Sequence, residues 1–198
     1  MLLVPSIHLS IQTFSSLTDH HCNFLSPNAN SVDSFQTNTM SDLKPIKLYG
    51  HALGPNPPKV QFVLEELNLP YEVELIDKPK DESFVKINPN GRLPAIIDPN
   101  TNLTLWESGA IMEYLVETYD KEGKLKGETV NDNWLIKQYL HFQMSGQGPY
   151  YGQAVWFHKF HPEPVQSAKD RYEEQVVRVV EVLNNILEGK QYLVGDKL

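Results

Sequence analysis

A chain of 198 residues with 40% hydrophobic, 10% aromatic and 21% charged side chains is long enough for one domain or two small ones, and its composition is that of a globular protein. Its net charge of -8 argues against nucleic acid or an acidic membrane as partner, because both require a basic face. No run reaches the roughly 18 to 20 apolar residues of a membrane span, and the single cysteine, Cys22, excludes a disulfide framework or a Cys-x-x-Cys redox pair, so a cytoplasmic location is the default expectation.

Residues 1–39 contain no Lys or Arg, are rich in Ser, Thr and Asn, and carry apolar residues without a period, which predicts a disordered extension. Met1-Leu2-Leu3-Val4-Pro5 lacks the basic start and unbroken apolar run of a secretory signal, and a mitochondrial transit peptide would be rich in Arg. His20-His21-Cys22 has no second ligand pair at metal-site spacing, so no metal is expected there. Ile46 to Tyr49 reads as a short strand, and the loop Gly50 to Asn56 leads to a helix with Val60, Val63, Leu64 and Leu67 on one face. Asn56 is a good cap for it, and Pro57 suits its first position. Asn68-Leu69-Pro70 ends the helix, and Tyr71 to Ile76 alternates as a second strand, completing a parallel crossover unit. Lys78 to Ile87 is a charged connection with a short helical piece.

Asn88-Pro89-Asn90-Gly91 is dense turn chemistry, and Pro94, a candidate for a cis bond, opens the apolar run Ala95-Ile96-Ile97. The turn Asp98 to Asn102 and the strand Leu103 to Trp106 complete a hairpin. Glu107-Ser108 then precede a helix marked by Ile111, Tyr114, Leu115 and Thr118. The start of that helix is an anion-binding corner beside a carboxylate, a pair of features that suits the ammonium and carboxylate of an α-amino acid terminus. Taken alone, an isolated Glu-Ser pair reads as a helix cap and a solvated acid, and it is the hairpin and the proline before it that point to a ligand.

The run from Asn88 to Pro94 followed by Trp106-Glu107-Ser108-Gly109-Ala110-Ile111 resembles the glutathione-binding half of the glutathione transferases, a thioredoxin-like domain. The resemblance implies that the backbone of Leu93, before Pro94, pairs with the cysteinyl unit of glutathione, that Glu107 and Ser108 hold its γ-glutamyl end, and that Arg92 assists at a carboxylate. Gly54-Pro55-Asn56 with Lys59-Val60 is similar to the fungal branch that includes the nitrogen-regulation proteins of yeast, where an Asn faces the thiol. A thiol at that helix mouth would feel the dipole and could accept a hydrogen bond from Asn56, both favouring thiolate. Pro57 and Pro58 remove two backbone donors there, with the charge of Lys59 as compensation, and Tyr49 is the alternative hydroxyl donor. Asn56 as a cap and nothing more also stays open.

After the linker Asp120 to Glu128, Trp134, Leu135, Tyr139, Leu140 and Phe142 begin a long helix that Ser145-Gly146-Gln147-Gly148-Pro149 must kink. The segment from Ser145 to Ala154, then Phe157 and Phe160-His161, resembles the same branch and implies Tyr150, Tyr151, Trp156 and Phe157 as candidate lining for an electrophile, or else as core or dimer contacts. Pro162 and Pro164 precede a periodic helix with Tyr172, Val176, Val180, Leu183 and Leu187, closed by Gly189. The resemblance thus implies a disordered 1–39, a thioredoxin-like domain over 43–125 and a partial all-α transferase domain over 131–198. Family members continue with further helices after the segment ending at Leu198. Their absence would expose apolar faces and lower stability, with activity in question.

The implied function is an enzyme, usually a homodimer, that conjugates the glutathione thiolate to electrophiles or uses it to reduce peroxides, with glutathione as cosubstrate and no metal. A non-catalytic glutathione-binding regulator is the alternative. Its discriminating feature would be a long Asn/Gln-rich tail, and residues 1–39 are too short and too mixed to be one. A thiol-disulfide oxidoreductase is excluded, because the loop before the first helix has no cysteine.

Overall fold

The computed structural model describes residues 42–196. The extension over residues 1–39 and the His20-His21-Cys22 run lie outside these. β1 (Ile46–Gly50) is followed by α1 (Pro57–Glu66) and by β2 (Tyr71–Leu75), which pairs parallel to β1 with Ile46 opposite Tyr71. Asn68 ends the crossover helix at φ 51, the left-handed conformation that Asn tolerates best after Gly, and the Leu69 amide closes the last turn onto the Leu64 carbonyl at 2.9 Å. A single helical turn, α2 (Glu82–Val85), interrupts the charged connection and buries Phe84. The Leu93-Pro94 bond is cis, as its position between turn and strand suggested. β3 (Ala95–Asp98) and β4 (Leu103–Trp106) form the expected antiparallel hairpin, and α3 (Ser108–Tyr119) follows directly.

The sheet order is β2-β1-β3-β4, and the strand period of two divides the core between its faces. Ile46, Leu48 and Ile96 join Val60, Leu64, Ile111 and Leu115 from α1 and α3 in one buried cluster. Tyr49 and Ala95 join Phe84 in a second cluster, the Phe84 ring standing edge-on to Tyr49 at 5.6 Å. Asp98, fully buried at the tip of the hairpin, accepts hydrogen bonds from the hydroxyls of Tyr114 and Tyr119, each at 2.6 Å, and so clasps the hairpin to α3.

In the linker the buried Asp120 carboxylate accepts the amides of Lys124, Leu125 and Lys126. Thr129 and Asp132 then form a reciprocal capping box that starts α4 (Val130–Phe142). The kink predicted at 145–149 is realised as a π-segment, Gln143–Gln147, that passes straight into α5 (Gly148–Lys159), with Pro149 in the first turn after it. α6 (Gln166–Leu187) ends before Gly189 at φ 71. Of its periodic residues Tyr172, Val176, Leu183 and Leu187 are half-buried, whereas Val180 is 50% exposed, and Gln175 and Val179 are the fully buried positions. Phe157 of α5 stacks on Tyr172 and Arg178 lies over the Tyr150 ring, so α5 covers only one side of α6. A groove of about 610 Å³ lined by Leu125, Ile136, Tyr139, Leu140, Leu187 and Tyr192 remains open beside it.

Candidate functional site

Topology alone collects the predicted residues. β3 runs antiparallel to both β1 and β4, so the end of β1, the start of β3 and the end of β4 lie at one end of the sheet. Tyr49 is opposite Ala95, and Ala95 is opposite Trp106. One step beyond that row come Gly50 with the Asn56 loop, Pro94, and Glu107 with Ser108. Arg92 and Leu93 enter the same edge from the preceding turn.

The mouth of α3 is an open polar corner. Glu107, not Ser108, occupies the cap position, and it does so at φ 75 and ψ 115. That conformation costs a non-glycine residue on the order of 1–3 kcal/mol and tends to be kept where geometry is functional. The Glu107 side chain is exposed and makes no ion pair or capping bond among the described residues. Ser108 is 7% exposed, and its hydroxyl makes no hydrogen bond to the described residues. Ser108, Gly109 and Ala110 precede the first intrahelical bond, from the Ile111 amide to the Glu107 carbonyl, so their amides are the orphan donors of a helix start.

The turn before Pro94 is fixed by Asn88, whose buried side chain accepts from the Asn90 amide at 2.9 Å and donates to the Arg92 carbonyl at 2.7 Å. Gly91 is required there, since it stands at φ +57 and a Cβ would lie 2.7 Å from the Pro79 carbonyl oxygen. This pinning leaves the Leu93 backbone without a hydrogen bond among the described residues while its side chain rests on the Tyr49 cluster. The Arg92 side chain is exposed and unpaired among the described residues.

Asn56 does not cap α1. It has helical φ and ψ of -89 and -38, its carbonyl accepts the Lys59 amide at 3.1 Å, and its side chain makes no capping bond. Its amide is therefore available at the mouth of the helix. Tyr49, the alternative donor, sits 4% exposed in the Phe84 cluster, on the sheet face opposite α1 and α3. Burial there pushes its hydroxyl pKa up.

The helical half reaches this end of the sheet through the π-segment. Lys137 of α4 pairs with Glu113 of α3 at 3.1 Å, and further along the Met144 thioether packs directly on Gly109, where a Cβ would require the methionine side chain to move. Lys59, in the first turn of α1, donates to the Gln143 side-chain oxygen. One element therefore touches both helix mouths.

Two family models match the chain. The glutathione S-transferase N-terminal domain model matches residues 44–117, and the C-terminal domain model matches residues 149–198. The glutathione S-transferase-like protein gedE of Aspergillus terreus is 56% identical over 170 residues, covering 80% of this chain and 74% of the relative. The chain belongs to the glutathione S-transferase family. Among solved structures, glutathione transferase URE2P8 from Phanerochaete chrysosporium with oxidized glutathione superimposes at TM-score 0.73 and 42% identity, covering 78% of this chain and 72% of that one. Ure2p in complex with glutathione gives TM-score 0.74 and 38% identity, covering 79% and 78%. The four-stranded α/β half is thus the thioredoxin-like domain of a fungal-type transferase, followed by its helical domain.

The candidate electrophile-lining residues divide along α5. Tyr150 and Tyr151 follow the π-segment directly, whereas Trp156 and Phe157 lie near the far end of the helix. Phe157 is stacked between His161 and Tyr172, at centroid distances of 4.9 and 5.5 Å, so its faces are occupied by packing. Trp156 is 46% exposed and leans on Phe160. His158 pairs with Glu173 at 2.6 Å, and no cluster of three His, Cys, Asp or Glu side chains suited to a metal occurs among the described residues. No helix among these residues is long and apolar enough to cross a membrane. Gln143 and Met144 were not marked by the sequence, because a π-turn has no residue pattern of its own. Thr129 with Asp132 did carry a readable capping signal.

Proposed function

We propose that this chain binds glutathione at the end of the sheet and activates its sulfur for transfer to an electrophile or for reduction of a peroxide. Glu107 takes the ammonium of the γ-glutamyl group, while Ser108 and the free amides of α3 take its carboxylate. The Leu93 backbone pairs with the cysteinyl unit, Arg92 serves a second carboxylate, and the uncommitted Asn56 amide donates to the sulfur, which favours its ionised form. The thiol proton leaves to solvent. In conjugation the sulfur lone pair forms a bond to carbon as the leaving group departs with the old bonding pair. In peroxide reduction the sulfur attacks the O–O bond, releasing an alcohol and a glutathione sulfenic acid, and a second glutathione converts the latter to disulfide and water. The chain acts by positioning and by electrostatics, with no covalent bond to the protein.

The observation that carries this reading is the unpartnered corner: a carboxylate held at positive φ, a hydroxyl without a bond and three orphan amides, all beside a backbone edge left open before Pro94. Relatives and neighbours whose names carry glutathione support the ligand. Calorimetry with glutathione beside turnover assays on an aryl halide and an organic hydroperoxide tests it. Micromolar to millimolar binding with turnover is expected. Ser108→Ala should weaken binding about tenfold or more, as for the loss of a hydrogen bond to a charged group. Unchanged affinity removes Ser108 from the site. A second reading, a glutathione-binding regulator without turnover, draws on the likeness to Ure2p. Binding with neither conjugation nor peroxide reduction favours it.

A further inference from the structure

The two helix mouths at the site are built differently. At α3 the first three amides are free. At α1, Pro57 and Pro58 have no N–H at all, and the Lys59 amide is already bonded to the Asn56 carbonyl at 3.1 Å. The first turn of α1 therefore offers an anion no free backbone donor, and most of the local positive potential that such donors supply is missing.

A cation stands in that place. Lys59 is partly buried, its ammonium donates to the Gln143 side-chain oxygen across 84 residues of chain, and no carboxylate pairs with it among the described residues. Gln143 is a neutral partner, so the charge is oriented without being cancelled. The π-segment that carries Gln143 has no charged residue, and its next side chain, Met144, is seated on Gly109 beside Ser108. Charged groups on the surrounding elements are committed elsewhere: Glu65 to Tyr71, Glu66 to Lys124, Glu113 to Lys137, Glu117 to Lys126 and Asp132 to Thr129. The Glu107 carboxylate at the α3 mouth, Tyr114 and Tyr119 of α3, both bonded to Asp98, Tyr139 and His141 of α4, and His51 in the loop before α1 are the other titratable groups on these elements. A half-buried ammonium without a counter-ion is costly for folding alone, and burial lowers the Lys59 pKa accordingly. An arriving anion reverses that cost.

We propose that Lys59 supplies the positive charge that keeps the glutathione sulfur ionised at the mouth of α1, and that Gln143 of the π-segment is the positioning residue that holds the ammonium there. The inference rests on the reading above, that the sulfur lies beside Asn56. It also gives the π-segment a role, since the extra residue in that turn sets Gln143 against Lys59 and Met144 against Gly109 from one stretch of backbone.

The test is a pH titration of the bound glutathione thiol, followed by thiolate ultraviolet absorbance, for the full chain and its variants. Lys59→Met should raise the thiol pKa by about one unit, which leaves about tenfold less thiolate at any pH below it, with glutathione affinity much less affected. Lys59→Arg should retain the low value. Gln143→Glu is the discriminating variant. It keeps Lys59 and replaces the hydrogen bond by an ion pair, so a purely structural link tolerates it, whereas a neutralised ammonium gives a thiol pKa raised as in Lys59→Met. A titration unchanged in both Lys59→Met and Gln143→Glu, with glutathione still bound, overturns this inference alone. No binding of glutathione by the unsubstituted chain overturns the reading of the site and this inference with it.

Discussion

The α/β half and the helical half are held together by different means. Among the described residues every buried apolar side chain except Val179 lies before residue 120, in two clusters that sandwich the sheet. In the helical half α4 and α5 bury no residue fully, and their order comes from a capping box, ring stacking and a few polar links. The polar corner proposed to take glutathione is built on the half with the buried core, at strand ends and helix starts fixed by that core. The helical half leans on it through the segment Gln143–Gln147 and through the Lys137–Glu113 pair. On the proposed function, the ligand's termini fall where the core fixes the geometry, and the second substrate would fall on the half with the less buried packing.

The largest effect should come from the sheet core. Ile96→Ala removes a fully buried side chain between α1 and α3 and should cost about 2–5 kcal/mol in denaturant unfolding. A loss below about 1 kcal/mol would place the centre of stability outside this half.

The clasp at the hairpin tip comes next and is sensitive to pH. Burial, then the hydrogen bond to Asp98, pushes the Tyr114 hydroxyl pKa up to about 12. Tyr119 is raised further by the same causes in the same order. Folding thus favours the protonated hydroxyls. Their contribution is complete below the ordinary tyrosine value of 10.0 and is lost as pH rises from there through about 12. Unfolding free energy measured across that window should fall steeply, and Tyr114→Phe with Tyr119→Phe should flatten the fall while lowering stability at neutral pH.

Smaller again is Thr129→Ala, which breaks the capping box at the start of α4 and should cost about 1 kcal/mol, read most clearly as faster amide exchange in α4 with α1 unchanged. Smallest is Val180→Ala. This residue is half exposed on α6, and its loss should stay within about 0.5 kcal/mol. A cost near that of Ile96→Ala would mean that the open face of α6 is covered in solution.

Local chemistry made most of the α/β half readable. β1, β3 and β4 follow a period of two, α1 and α3 follow a period of 3.6, and Pro94 after Asn-Pro-Asn-Gly announced its own turn. On α6 the periodic residues Tyr172, Val176, Leu183 and Leu187 are half-buried, but Val180 is exposed and Gln175 and Val179 are the fully buried ones, because periodicity marks the apolar stripe while burial depends on which neighbour covers it. Asn56 was expected to cap α1, yet it stands at the cap position with a helical backbone and no side-chain capping bond. The positive φ of Glu107, the π-turn and the Asp98 clasp depend on contacts distant in sequence, and no local pattern announces them.

The most direct measurement is amide NMR of the full chain titrated with glutathione. Shifts should concentrate at Leu93, at Ser108, Gly109 and Ala110, and at Asn56 and Lys59, at one end of the sheet. Shifts confined to the groove lined by Leu125, Tyr139, Leu140 and Tyr192, with those amides unmoved, would contradict the account.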